Sequence, residues 1–537
     1  MSSFGAIDVP GYKCNRFDLT RVVLSGDPPR RQREQAICSS PCDTTRPLVS
    51  NGRTGTPRLT LAAAAPSTDP SCTLQTQVSR TLFVAATALT AADAFQLGAS
   101  APGTGGVTRG SVRMAEAAAT KRDERRRIMG KDTFMRGATP FEKGIHADVN
   151  QKMSAKFASE LVEELKESTF KQISRGEGEK QIVFKLANDY GFCWGVERSI
   201  ELAWAARDAY PDKTVHITNE LIHNPGVNDM LHEMDVKFIE KLEDGGKGFD
   251  TVGDGDVVIL PAFGASLEEM QLLDERGVTI VDTTCPWVSK VWTTVDKHKK
   301  AEMSSIIHGK WAHEESIATA SMAEDYIIIK DIKEAEEIAS YILGEEGCLT
   351  DEQLLDKYKN AISKGFDPKK HLKRLGLANQ TTMYKKETQA IGKLFERVMI
   401  EKYGPENSKE RFIAFDTICD ATQVRQDAIS EMISAEDYDL DFILVVGGWD
   451  SSNTAHLLEI PVHEGKVGYH VKTADCIRAD GSIEHRTVDG EIVVAENVLP
   501  KGRAAKVGIT SGASTPDSVV QECLEQLIML KQLSPVA

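Results

Sequence analysis

Ten cysteines stand in the 537-residue sequence, at positions 14, 38, 42, 72, 193, 285, 348, 419, 476 and 523, without the dense, even spacing that a disulfide framework leaves. A reducing compartment fits this usage. There a cysteine is either a small buried hydrophobe or a thiolate placed to bind metal or to react. Three of the ten share a local pattern: Cys193 follows Asn188-Asp189-Tyr190-Gly191-Phe192, Cys285 follows Asp282-Thr283-Thr284, and Cys419 follows Asp416-Thr417-Ile418. Each stands where an apolar run ends and a helix-like stretch begins. Their separations, about 92 and 134 residues, match neither the paired knuckles of a zinc ribbon nor the close cysteine run of a ferredoxin. Three thiolates from distant turns would suit a cubane cluster with one iron left open to polarise a substrate oxygen. Spacing alone leaves buried structural cysteines as the ordinary alternative.

The elements that must carry these cysteines are legible from Gln181 onward. Short apolar runs rich in β-branched residues, QIVFKLA, VVILPAF, VTIVDTTC, SSIIHG, DYIIIK, FIAFDTIC, DFILVVGG and KVGITSG, alternate with amphipathic stretches. They read as buried strands in βαβ units with parallel sheets, an α/β fold. Three of the runs end on the cysteine turns, so three comparable α/β units are expected over residues 181–284, 285–415 and 416–537. A charged stretch over 332–371 reads as an insertion in the second, and residues 131–180 as an N-terminal extension of the mature protein. Three units that each present a cysteine at a strand end would converge on one central site.

Residues 1–130 have a different texture, rich in Ser, Thr, Ala, Arg and Pro, and read as a largely disordered targeting region. Within it LFVAATALTAADA followed by Phe95-Gln96 resembles a signal segment with a small-residue cleavage site, which suggests two-step import into a complex plastid. The basic run KRDERRR, residues 121–127, is expected as a solvated linker. The net charge of −16 and pI near 5.4 argue against nucleic acid as a partner. No window approaches the ~20 apolar residues of a membrane helix; the nearest run is residues 82–92.

The peptides around the three cysteines carry a resemblance. Phe192-Cys193-Trp194-Gly195-Val196-Glu197-Arg198, Asn219-Glu220-Leu221-Ile222-His223-Asn224-Pro225, Asp282-Thr283-Thr284-Cys285-Pro286, Asn379-Gln380-Thr381-Thr382, Cys419-Asp420-Ala421-Thr422, Ser451-Ser452-Asn453 and Gly512-Ala513-Ser514-Thr515-Pro516-Asp517 follow in order. Together they resemble the IspH/LytB family of allylic diphosphate reductases, in its plant and cyanobacterial branch. The resemblance implies a trefoil of three α/β domains around a [4Fe-4S] cluster held by Cys193, Cys285 and Cys419. It implies a diphosphate pocket lined by His223, His313, Ser451, Ser452, Asn453 and Ser514, with Thr381 and Thr382 at the substrate. It also implies Glu315 as the proton donor, with Thr381 as its relay and His223 and His313 as further proton carriers. Pro261-Ala262-Phe263-Gly264 departs from bacterial members, which commonly have histidine where Phe263 stands, and Glu314 takes the place of their proline. Without the resemblance, Ser451 and Ser514 read as helix caps and Glu315 as a surface carboxylate.

The implied reaction is a two-electron, two-proton dehydroxylation that yields isopentenyl and dimethylallyl diphosphate. No Gly-x-Gly-x-x-Gly fingerprint follows a strand, so the electrons are expected from outside, from ferredoxin or a similar donor in the plastid stroma. A homodimer is left open. Two other chemistries suit three thiolates. A redox-neutral hydro-lyase would use the open iron as a Lewis acid, and commonly carries a Cys-x-x-Cys pair that is absent here. An iron–sulfur carrier or sensor would not need Glu315, Thr381 or the Ser451-Ser452-Asn453 turn.

Overall fold

The computed structural model describes residues 120–137, 140–242, 246–435 and 439–533. The expected signal segment, the apolar run 82–92 and Cys14, Cys38, Cys42 and Cys72 lie outside the described residues. All eight apolar runs named above form strands, and they fall into three sheets.

The first sheet has the order Phe134–Met135, Thr279–Asp282, Val257–Leu260, Val215–Ile217, Val236–Phe238, every pair parallel. Alternate side chains go to opposite faces: Val258, Leu260 and Ile280 join one core cluster, Val257, Ile259 and Val281 another. A parallel sheet covered on both faces is apolar at successive positions, which is why these runs show no polar alternation. The second sheet, also all parallel, runs Phe412–Ala414, Leu375–Asn379, Ser304–His308, Tyr326–Ile329. The third has a parallel centre, Gly468–Val471, Phe442–Val446, Ala505–Ser511 and Ile182–Leu186. Antiparallel strands close its edges, Gln172–Arg175 on one side and Ile483–Arg486 with Ile492–Ala495 on the other.

Two expectations about organisation change, those for the first strand of the 181–284 unit and for the KRDERRR run, and two other segments are placed. The strand Ile182–Leu186, expected to open the first unit, pairs with Ala505–Ser511, so the 181–284 unit does not hold its first strand. The chain's early and late segments share one sheet because the helix after Cys193, Trp194–Ala209, crosses to pack on the first sheet's core. The 131–180 extension is divided in the same way, since Phe134–Met135 edges the first sheet and Gln172–Arg175 the third. Residues 332–371 form the connection from Tyr326–Ile329 to Leu375–Asn379, and their Ala335, Ile338, Ile342, Leu354 and Tyr358 enter the second sheet's core. KRDERRR is no linker: Lys121–Met129 is a helix with a Thr120/Asp123 capping box. It buries Ile128 against the first sheet's core and pairs Arg125 with Asp296 at 2.8 Å and Arg127 with Asp274 at 2.9 Å. Its positive charge is absorbed by carboxylates about 150 residues away, which local composition cannot reveal.

Among the described residues no helix is long and apolar enough to cross a membrane.

Candidate active site

Cys193, Cys285 and Cys419 are each the N-cap residue of a helix, Trp194–Ala209, Pro286–Lys300 and Asp420–Ser434. Each turn is pinned through the cysteine's own backbone N–H, which donates to a carbonyl of a neighbouring loop: Cys193 to Ala513 at 3.1 Å, Cys285 to Ala262 at 3.0 Å, Cys419 to Thr381 at 3.3 Å. All three thiols are free. They converge closely: a methyl group on Gly195 would lie 2.6 Å from Cys285 Sγ and 3.8 Å from Cys193 Sγ. Burial pushes the Cys285 thiol up to about 12, and the two companion sulfurs add to that while the N–H groups of Trp287 and Val288 oppose it. Cys419 is pushed up to about 11 by burial, against hydrogen bonds from Thr422 Oγ1 at 3.0 Å and Thr422 N–H at 3.3 Å. Two thiols that resist ionising by themselves, with a third beside them and all three at helix N-termini that favour negative charge, suit a cationic metal centre that would draw off thiol protons. The glycine that lets two sulfurs meet is part of the same cradle.

One open-mouthed cavity, about 680 Å³ of atom-free space counting its opening to solvent, is lined by all twelve residues singled out above: the three cysteines, His223, His313, Glu315, Thr381, Thr382, Ser451, Ser452, Asn453 and Ser514. Every one of them follows the C-terminal end of a parallel strand, the side of an open α/β sheet where ligands bind. Among the described residues no lysine or arginine lines it. A larger cleft of about 1570 Å³ adjoins the Cys193 turn through Phe192 and Trp194 and contains none of the twelve.

Glu315 is 1% exposed. Thr381 holds its carboxyl at both oxygens: the backbone N–H donates to Oε1 at 2.6 Å and Oγ1 lies 3.1 Å from Oε2. Burial outweighs these hydrogen bonds and pushes the carboxyl up to about 7, so it carries a proton over part of the neutral range. Far from a surface carboxylate, it is the most deeply buried acid of the cavity.

Ser451 caps the helix Ser452–His463 and accepts the N–H of Thr454 at 3.3 Å. Asn453 Oδ1 accepts the N–H of Ala513 at 3.0 Å, and the side chain of Asn224 donates to the carbonyl of Ser514 at 2.8 Å, which ties the serine turns to the His223 loop. His313 caps the helix Glu314–Met322. Burial, with His223 and Lys310 nearby, pushes its imidazole well below the ordinary range. Phe263 stacks on His223 with ring centres 4.4 Å apart and meets His313 edge-on at 5.4 Å.

Two residues of this site were not singled out from sequence. Gln380 is buried and spans three loops: Nε2 donates to Thr382 Oγ1 at 2.8 Å and to Ser452 Oγ at 3.2 Å, and Oε1 accepts from the Lys310 N–H at 3.2 Å. Thr422 serves the Cys419 sulfur. Both stand inside the quoted motifs, so adjacency to Thr381 and Cys419 was the available signal.

Parallel strands that bring three free thiols, a buried carboxyl and two histidines to one cavity define an α/β enzyme with a thiol-rich centre. A family model described as LytB protein matches residues 184–528, and the chain belongs to that family. The 4-hydroxy-3-methylbut-2-enyl diphosphate reductase of Trichormus variabilis is 49% identical over 393 residues, which is 73% of this chain and 94% of the relative. The reductase of the same name from a Synechococcus strain is 55% identical over 348 residues, 65% of this chain and 85% of the relative. A chloroplastic one from Botryococcus braunii is 53% identical over 359 residues, 66% and 71% of the two chains. A solved structure, the E-1-hydroxy-2-methyl-but-2-enyl-4-diphosphate reductase from Plasmodium falciparum, aligns with a TM-score of 0.46 at 21% identity, over 64% of this chain and 86% of that chain.

Proposed function

We propose that this chain reduces 4-hydroxy-3-methylbut-2-enyl diphosphate to isopentenyl and dimethylallyl diphosphate, the closing step of the non-mevalonate route to isoprenoids. The observation that carries this reading is the buried Glu315–Thr381 pair in the same cavity as three free, convergent thiols. Cys193, Cys285 and Cys419 would hold a [4Fe-4S] cluster, which when bound would relay the two electrons one at a time from the donor and offer a Lewis-acidic iron. Glu315 holds the proton that converts the departing hydroxyl to water, Thr381 orients that carboxyl and passes the proton on, and the second proton of the reduction goes to carbon to give isopentenyl or dimethylallyl diphosphate. The diphosphate lies against neutral donors, Ser451, Ser452, Asn453, Ser514 and Thr382, at the N-terminus of the helix Ser452–His463, with His223 and His313 on its other side. Burial of the carboxyl and hydroxyls excludes water from the proton's path.

The electrons come from an external ferredoxin-type donor. A plastid address is supported by the N-terminal composition and by the chloroplastic relative.

Anaerobic purification followed by an iron and sulfide count, then assay of the allylic diphosphate with reduced methyl viologen, tests the proposal. The expected outcome is a brown protein with about four irons per chain that consumes substrate only when the donor is present. A zinc-only protein, or turnover independent of the donor, would refute it.

A further inference from the structure

The diphosphate end of the cavity holds two histidines in unlike settings. His313 Nδ1 accepts the backbone N–H of Glu315 at 3.1 Å as the cap of its helix. A proton on that nitrogen would set two donors against each other, in a buried site at the positive end of a helix dipole. The ring is thereby kept neutral, with its one proton on Nε2. The same bond argues against a divalent cation held by His223, His313 and Glu314, whose ligand-capable atoms all lie within 4.8 Å of one another. A histidine that ligates through Nε2 keeps its proton on Nδ1, where this one accepts.

His223 is built the other way round. Its Nε2 lies 3.2 Å from His313 Nε2, so it accepts the proton fixed there and carries its own on Nδ1, which faces Glu220 Oε2 at 3.1 Å. The Phe263 contacts hold both rings in this arrangement. The other charged groups around the pair are Glu314, which is bound to Lys241 and Asn219, and Lys310. Glu315 is engaged by Thr381.

A diphosphate that enters the cavity replaces His223 as the acceptor for His313 Nε2–H. His223 Nε2 then turns a lone pair toward an anionic oxygen, a repulsive contact unless that nitrogen is protonated. No lysine or arginine of the lining can relieve it.

We propose that His223, and not His313, takes up a proton from solvent when the diphosphate binds, and that Glu220 is the positioning residue that orients the ring and stabilises the resulting imidazolium. In the bound state Nε2–H of His223 faces the diphosphate and Nδ1–H faces Glu220, while His313 remains a neutral donor. One proton enters from solvent, on the side where the Glu220 side chain is half exposed, and no substrate bond is broken. The assignment rests on the diphosphate reading of the cavity.

Inorganic diphosphate titrated calorimetrically into the cluster-loaded protein, in buffers of different ionisation enthalpy, reads the proton count directly. Wild type should take up more protons per diphosphate at pH 8 than Glu220→Gln does, the difference approaching about one. Glu220→Gln keeps an acceptor for Nδ1–H at a partly exposed position, so its fold is not at risk. Its affinity should fall about tenfold at pH 8 and by less than about threefold at pH 6, with kcat at saturating substrate little changed. Equal proton uptake in the two proteins, or a loss of affinity independent of pH, would overturn the assignment. Proton-coupled diphosphate binding by a wild type that reduces no substrate would leave it standing and refute the reductase reading instead.

Discussion

Glu315 must still hold a proton near neutral pH, and burial against two Thr381 contacts is how this chain achieves it. Because its carboxyl is pushed up to about 7, the protonated form dominates below that pH and is lost above it, so kcat should fall as pH rises through about 7. Glu315→Gln preserves the shape and an acceptor for the Thr381 N–H but cannot deliver the proton. Turnover should drop by about 10²-fold or more with the iron and sulfide content unchanged, and the remaining activity should lose that pH dependence; turnover within a few-fold of wild type would contradict the role. The resemblance made Glu315 readable as a candidate. Its burial was not readable, because His313-Glu314-Glu315 is polar and the Thr381 loop that binds the carboxyl comes from a separate strand.

At the scale of elements, the repeated device is a parallel strand, a short turn, and a functional residue at or beside the N-cap of the next helix. It recurs at all three cysteines, at His313 and at Ser451, so several helix N-termini face one cavity and offer positive potential without a single cationic side chain. Strand ends and cap-like residues could be read locally. That the helices aim at one another could not, since nothing in a turn states which other turn it will meet. Gly195, in the first turn after Cys193, exposes the difference between local and tertiary demands. Alanine there should favour the helix by up to about 1 kcal/mol, yet its methyl would stand 2.6 Å from Cys285 Sγ. Gly195→Ala should therefore fold at least as stably as wild type without metal but lose about tenfold or more in affinity for the metal centre, read as iron retained after gel filtration against a chelator. Normal iron retention would mean that the sulfurs tolerate the displacement.

For the whole molecule, the three sheets are stitched together by segments distant in sequence. The helix Lys121–Met129 illustrates this, for Ile128 is 1% exposed within the first sheet's core. Ile128→Ala should cost about 2–5 kcal/mol in denaturant unfolding while leaving metal content per folded chain unchanged; a cost near zero would mean that the basic run is the linker its composition suggested. The α/β class, eight of the strands and the twelve residues singled out for the cavity were legible in the sequence alone, because apolar runs and strand-end turns are local properties and the motifs carry the resemblance. Tertiary structure alone decided that Ile182–Leu186 joins the C-terminal sheet, that residues 332–371 fill a core, that KRDERRR docks on Asp274 and Asp296, and that His223 Nε2 meets His313 Nε2. The physical reason is common to all four: strand pairing, burial and the meeting of the two rings are set by a partner far along the chain, and a residue's own neighbours in sequence do not specify which partner that is.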